Sequence, residues 1–219
     1  MESMHDIKLP HEWVVYLYDK TVFKMIANKG NCQMKANKEV CTLRTMNDLV
    51  YMLQLMECKV NVPSASKPVI NLDANDYIIM KKGIEPIWED PKNCNGGTFT
   101  MKVVHTKGYS LWSQFLMHMI GETLTEDSAT VNGMTVMFIP DIYNVAGGLS
   151  HSLIKIWDAN ENRNSPEQFL ELLPEELADQ IKDESLQYLP NNKKRHFGNA
   201  KMAGGGRNTR RHYGGFKGK

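Results

Sequence analysis

Short runs of aromatic and β-branched residues recur along the chain and are typical of strands that pack into a sheet. The first and clearest of these runs contains Trp13. On this pattern we predict five strands, over residues 12–18, 76–80, 99–104, 135–139 and 153–157.

Apolar residues with helical spacing lie between the predicted strands. From Met46 to Leu53 they fall at i, i+3, i+4 and i+7, with Thr45 as an N-cap and Asp48 three positions later. This pattern predicts a helix over residues 45–57.

Two further helices follow the same logic. Helical spacing recurs over residues 112–119 and stops before Gly121, while Ser165 followed by a proline and a glutamine is typical of a third helix start. The order of elements predicts an α+β fold, with a curved, mostly antiparallel sheet covered by helices on one face and free on the other.

The charges divide the chain into an acidic body and a basic tail. Residues 191–219 hold nine of the 26 Lys and Arg and none of the 25 acidic residues, which leaves residues 1–190 with a net charge of −8. The tail is also rich in glycine and has too few apolar groups to form a core. We predict a folded domain over 1–190 and a flexible tail over 191–219, and we expect any RNA contact of the body to be local.

Several protein classes are disfavoured. No stretch approaches the ~20 apolar residues that a membrane span needs, and the first residues lack a signal-peptide pattern. The four cysteines do not have the spacing of a zinc site. We therefore expect a cytoplasmic protein that uses no cofactor and does not enter a membrane.

The most informative segment is residues 82–99. Asn95-Gly96 before a β-rich run predicts a tight hairpin turn, because both central residues of the favoured turn have positive φ. Just upstream, two flanking prolines keep Trp88 and Glu89 out of a strand ladder. A large aromatic ring and a carboxylate therefore stand side by side on a loop.

An aromatic ring beside a carboxylate complements a methylated guanine, which is a cation with a large π face and a two-donor edge. Trp88 would stack on the base, and Glu89 would accept hydrogen bonds from its N1–H and exocyclic amine. The alternative is a loop tryptophan that packs on the core beside a solvated glutamate, and the pair alone does not decide between them.

The longer string Gly-Ile-Glu-Pro-x-Trp-Glu-Asp-x-x-Asn-x-x-Gly-Gly, at residues 83–97, resembles the central signature of the translation initiation factor 4E family. The resemblance extends from Trp13 to Arg163, and Trp112 and Trp157 also occupy family tryptophan positions. It implies a cupped antiparallel sheet with three helices on its convex face and a binding site for the mRNA cap, 7-methylguanosine, on its concave face.

The resemblance also implies roles for individual residues. Trp88 is one of two plates that stack on 7-methylguanosine, its backbone N–H donates to the base oxygen, Glu89 pairs with the guanine edge, and Trp157 contacts the N7-methyl group. Trp13 and Trp112 are expected to be core residues. No tryptophan matches the second plate, so we predict that Phe23 takes this role, with packing in the core as the alternative.

The phosphate-binding arginine and lysine of the family are replaced here by Ile139 and Leu153. Lys155 is the expected substitute, because it lies two residues before Trp157 and points to the same face of the strand, as His151 would further along. Tyr143 lies in an enlarged loop between the late strands, and we expect it to stack on the first transcribed nucleotide. The alternatives are that Lys155 is a solvated surface lysine and that the loop of Tyr143 is a variable loop without a role in binding.

The family binds a helical segment of a scaffold protein of the initiation factor 4G type through a helix tryptophan, whose position here is occupied by Val50. The predicted partner surface comprises Met46, Val50, Ser113 and Met117. Because the aromatic anchor is absent, we predict a dedicated partner in place of the usual scaffold.

Recruitment of capped mRNA for translation initiation, without a chemical step, is therefore the first functional hypothesis. A cap-binding translational repressor is the alternative within the same fold. An enzyme acting on capped RNA is a third, although no phosphate-binding glycine loop and no nucleophile with a nearby base is evident. The tail is expected to hold RNA loosely through Lys193, Lys194, Arg195, Arg207, Arg210 and Arg211.

Overall fold

The computed structural model describes residues 7–19, 37–60, 75–140, 149–182 and 184–192. Over these residues, seven strands form one curved antiparallel sheet in the order β2-β1-β3-β5-β6-β4-β7. The strands are β1 (Lys8–Asp19), β2 (Asn37–Thr45), β3 (Asn75–Lys81), β4 (Gly97–Val104), β5 (Val131–Pro140), β6 (Leu149–Asp158) and β7 (Ser185–Pro190).

Four α-helices occur in the described residues: α1 (Met46–Val60), α2 (His105–Ile120), α3 (Pro166–Leu172) and α4 (Glu175–Ile181). The predicted third helix is therefore two short helices. The break falls at Leu173, which is extended with φ −74° and ψ 153°, because the proline at 174 disfavours the helical conformation of the residue before it.

All five predicted strands are present, but β2 and β7 were not predicted. Both are edge strands of the sheet. Lys38, Glu39 and Val40 are exposed in β2, and β7 alternates between exposed and half-buried positions. An edge strand packs against one neighbour only, so its sequence shows no dense apolar run.

All four helices pack on the same face of the sheet, where they form the main hydrophobic core. Trp13 from β1 and Trp112 from α2 are both buried in this core, as predicted. The rings of Phe99 and Phe169 stack with centroids 4.2 Å apart and join β4 to α3. We call this side of the sheet the helix face and the opposite side the open face.

The start of α1 has the predicted capping arrangement. The backbone N–H of Asp48 donates to the hydroxyl of Thr45 at 3.2 Å, and the Asp48 carboxylate accepts from the backbone N–H of Thr45 at 2.9 Å. These reciprocal bonds satisfy donors that the helix itself leaves unpaired. Within the described ranges, no helix is long and apolar enough to span a membrane.

Candidate functional site

The open face carries a second, smaller hydrophobic cluster. Val14 and Tyr16 from β1 pack there with Ile78 and Met80 from β3 and with Trp157 from β6. The neighbours of these residues along each strand belong to the main core, as the two-residue period of a strand requires. This cluster, which we call the apolar patch, lies on the side of the sheet opposite the helices, and each of its buried residues is at most 8% exposed.

Trp157 is held at one end of the apolar patch. Its side chain is 7% exposed, and the indole N–H donates to the hydroxyl of Thr135 at 3.0 Å. Gly133 lies directly opposite Trp157 on β5, and a Cβ at this glycine would overlap the sulfur of Met80. The absence of a side chain at Gly133 therefore leaves room for Met80 beside Trp157 in the apolar patch.

A loop over residues 82–96 rises from the end of β3 at the same end of the sheet. Its first part is anchored by Ile84, which is buried in the apolar patch with Trp157. The Asp90 carboxylate then accepts from the backbone N–H groups of Glu85 and Lys92, both at 2.8 Å. These bonds fold the loop back on itself around Trp88 and Glu89.

Asn93 connects this loop to the rest of the domain. Its side-chain amide donates to the backbone carbonyls of Glu85 at 2.9 Å and Ile87 at 3.0 Å, so it holds the segment that leads into Trp88. Its side-chain oxygen accepts from the Asn132 amide at 2.9 Å, and its backbone carbonyl accepts from the Asn191 amide at 2.7 Å.

All three asparagines are at most 5% exposed, which makes their hydrogen bonds costly to lose. Asn132 lies at the start of β5, and Asn191 directly follows β7. The network therefore fixes the loop against two strands that are distant in sequence.

Trp88 and Glu89 lie on the turn that these bonds hold. The Trp88 side chain is half-buried, and Glu89 is exposed. The loop that carries both residues is tied to the end of the sheet where Trp157 lies. The segments that hold the three predicted base-binding residues therefore meet at one end of the domain.

The predicted hairpin at Asn95-Gly96 is wrong. β3 and β4 are not neighbours, because β5 and β6 lie between them in the sheet. Among the described residues, the one glycine with positive φ is Gly83, at 81°. Gly96 is needed for a different reason, since a Cβ there would overlap the backbone carbonyl oxygen of Asp158. The loop is rigid through side-chain amides and close packing rather than through a hairpin.

The structure places the phosphate candidates on the open face beyond Trp157. Lys155 is half-exposed and lies two residues before Trp157 on β6. It pairs with Thr100 of β4 on one side and with Thr135 of β5 on the other. His151 lies four residues before Lys155 on the same strand and is also partly exposed. Phe23, Tyr143 and the six basic residues of the tail lie outside the described residues, so their predicted roles remain predictions.

The predicted partner residues lie on two adjacent helices of the helix face. Met46 and Val50 belong to α1, and Ser113 and Met117 belong to α2. The hydroxyl of Tyr109 donates to a backbone carbonyl of α1 at 2.8 Å and ties the two helices together. Met117 is 48% exposed, so an apolar side chain is accessible on this surface.

Sequence reasoning missed an apolar cavity of about 350 Å³ on the other side of α1. Its rim includes Val40, Tyr51 and Leu55, which are all exposed. The helical pattern of α1 could have indicated it, because Tyr51 and Leu55 are four residues apart and therefore share one side of the helix.

Sequence reasoning also missed Lys102 on β4. Its neighbours Met101 and Val103 are buried in the main core, so Lys102 lies on the open face with Lys155. The alternation of β4 could have placed it on that face. No local signal marked Asn132 or Asn191, since their roles depend on contacts with a distant loop.

Comparison with known proteins shows the family to which the chain belongs. The chain matches the profile of the family described as eukaryotic initiation factor 4E over residues 8–204. It is 46% identical to the eukaryotic translation initiation factor 4E homolog of Acanthamoeba polyphaga mimivirus, with 91% of this chain and 84% of the relative covered. It is 28% identical to initiation factor 4E-2 of Schizosaccharomyces pombe, over 63% of this chain and 51% of that protein.

Solved structures share the fold. A C. elegans eIF4E-3, in complex with the 4E-binding protein Mextli and a cap analog, superposes with a TM-score of 0.60 at 20% identity, covering 87% of this chain and 95% of that one. A schistosome eIF4E, complexed with m7GpppG and 4E-BP, has a TM-score of 0.58 at 22% identity, covering 86% and 91%. On its profile match and its viral relative together, this chain belongs to the eukaryotic initiation factor 4E family.

Proposed function

We propose that this protein binds the 7-methylguanosine cap of mRNA and recruits the mRNA for translation initiation. The observation that supports the proposal is the hydrogen-bonded loop that carries Trp88 and Glu89 and is anchored at the same end of the sheet as Trp157. Family membership supports it, as do fold relatives that were solved with a cap analog or with m7GpppG.

Each residue of the site has a proposed task. Trp88 stacks on the methylated base, whose positive charge strengthens the attraction to the indole face. Glu89 accepts two hydrogen bonds from the guanine edge, and its charge balances that of the base. Trp157 contacts the methyl group, Phe23 supplies the second plate, and Tyr143 stacks on the next nucleotide.

The task of this site is binding, without a chemical step, and the protein acts in the cytoplasm. Preorganisation supports affinity, because a loop that is already ordered loses little entropy when the cap binds. Rigid presentation of Trp88 by Asn93 and Asp90 is therefore part of the proposed mechanism.

Titration with 7-methyl-GTP and with GTP, followed by tryptophan fluorescence, tests the proposal. Trp13 and Trp112 are buried in the main core, so quenching will report on Trp88 and Trp157. We expect 7-methyl-GTP to bind at least about 30-fold more tightly than GTP, since a desolvated cation–π contact is worth ~2 kcal/mol. Equal affinities for both nucleotides would refute cap recognition.

We also propose that a helical segment of a scaffold partner docks on α1 and α2, across Met46, Val50, Ser113 and Met117. The relatives solved with Mextli and with 4E-BP support a protein partner for this fold. Val50 offers less apolar area than an aromatic anchor would, so a generic scaffold peptide of the initiation factor 4G type is expected to bind weakly.

Val50→Trp is expected to raise the affinity for that generic peptide by about tenfold or more, because aromatic anchors dominate such interfaces. Isothermal titration calorimetry with the peptide measures this gain. Leu55→Trp is the matched control, since it adds the same ring to the opposite side of α1. A wild-type protein that already binds the peptide as tightly as Val50→Trp would contradict the proposed dedicated partner.

A further inference from the structure

The indole of Trp157 is fixed by a hydrogen bond to the neighbouring strand β5. The hydroxyl of Thr135 accepts this bond from the indole N–H at 3.0 Å. Both residues are buried, with Trp157 7% exposed and Thr135 5% exposed. Burial strengthens a hydrogen bond and shields it from competing water, so the two side chains are expected to stay paired in the folded protein.

The strand register makes this hydrogen bond diagonal. The residue directly opposite Trp157 on β5 is Gly133, whereas Thr135 pairs with Lys155. Thr135 is two residues from Gly133, so its side chain lies on the same face of the sheet as the indole. A diagonal neighbour on one face is within reach of a large aromatic side chain.

This hydrogen bond distinguishes Trp157 from the two tryptophans of the main core. The indole N–H groups of Trp13 and Trp112 are buried and have no hydrogen-bond partner in the part of the chain that the structure describes. Packing alone therefore suffices to bury an indole in this protein. The bond between Trp157 and Thr135 calls for a further reason.

The bond selects one orientation of the Trp157 ring. The torsion that turns an indole about its Cβ–Cγ bond is broad and has roughly two favoured orientations. A half-turn of the ring would direct the N–H away from Thr135 and leave a buried donor unpaired, which is unfavourable. The hydroxyl of Thr135 therefore decides which edge of the indole is presented to a ligand on the open face.

We propose that Thr135 is a positioning residue for cap selectivity, because it holds the indole of Trp157 in the orientation that contacts the N7-methyl group. This inference rests on the proposed cap-binding function. Thr135 acts through Trp157, and unmethylated guanine has no methyl group for the indole to contact. Loss of the hydroxyl should therefore weaken binding of 7-methyl-GTP and leave binding of GTP unchanged.

Thr135→Val tests this role, since valine keeps the branched shape of threonine and lacks the acceptor. We expect the variant to bind 7-methyl-GTP about three- to tenfold more weakly, which is the range of one buried hydrogen bond, and to bind GTP like the wild type. Thr135→Ser keeps the hydroxyl and should retain the selectivity. Fluorescence titration with both nucleotides measures the ratio of affinities.

NMR reports on the hydrogen bond itself. The indole N–H signal of Trp157, identified by its absence from Trp157→Phe, should shift and exchange faster with solvent in Thr135→Val. In the Trp157→Phe background, Thr135→Val should cause no further loss of selectivity, because phenylalanine has no N–H to hold. Thr100→Val is the matched control, since Thr100 is the neighbour of Lys155 on β4 and lies on the open face.

The inference would be overturned if Thr135→Val lost the hydrogen bond and kept wild-type selectivity, or if Thr135→Ser kept the bond and lost selectivity. An equal loss in the Trp157→Phe background would also overturn it, because Thr135 would then act by another route. These outcomes leave cap recognition by the wild type standing. Equal affinity of the wild type for 7-methyl-GTP and GTP would instead refute the proposed function.

Discussion

Glu89→Gln is expected to weaken binding of 7-methyl-GTP by at least about 30-fold, which corresponds to ~2 kcal/mol. The carboxylate can accept from both N–H groups of the guanine edge, and it balances the charge of the methylated base. A glutamine offers a single acceptor and turns its own amide donors toward the donors of the base. Fluorescence titration of the purified variant measures the loss.

Stability should not change with this substitution, because Glu89 is exposed. Urea unfolding of the variant and the wild type checks this point. Glu126→Gln is the control, since it removes an equivalent charge from another exposed position. If Glu89→Gln kept wild-type affinity and selectivity for the methylated base, the carboxylate would not pair with guanine, and the Trp88-Glu89 pair would be a loop feature without this function.

Asn93→Ala is expected to lower the free energy of unfolding by about 2–4 kcal/mol and to weaken 7-methyl-GTP binding by more than about tenfold. The substitution removes two hydrogen bonds donated to the carbonyls of Glu85 and Ile87 and one accepted from Asn132. These groups are partly or fully buried, so their lost bonds are not replaced freely by water. The segment before Trp88 then loses its fixed geometry.

Urea unfolding and nucleotide titration at a temperature where the variant is folded measure the two effects separately. Asn95→Ala is the matched control, because Asn95 belongs to the same loop but is exposed. We expect that variant to resemble the wild type in both measurements. A destabilised Asn93→Ala protein that still binds 7-methyl-GTP normally would show that the asparagine network supports the fold without positioning Trp88.

The same hydrogen-bond network explains why the sequence identified the residues of the loop but did not predict the conformation of the loop. Trp88, Glu89 and Asn93 occur within one short segment, so their types and spacing could be read directly. Asn132 and Asn191, which tie Asn93 to the sheet, are 39 and 98 residues away from it. The local pattern predicted a hairpin at Asn95-Gly96, because turn propensity depends on neighbouring residues only. The strand order shows that no hairpin forms there, since β5 and β6 lie between β3 and β4.

The sequence by itself determined the five densely apolar strands, the start of α1, the burial of Trp13 and Trp112, and the residues of the Trp88-Glu89 loop. Each of these depends on the period or chemistry of neighbouring positions. The tertiary structure alone decided the edge strands β2 and β7, the bracing of the loop by Asn132 and Asn191, and the pairing of β4 with β6 that puts Lys102 and Lys155 on neighbouring strands. These features arise from strand register and buried hydrogen bonds between distant segments, and no local pattern in a single sequence specifies such pairings.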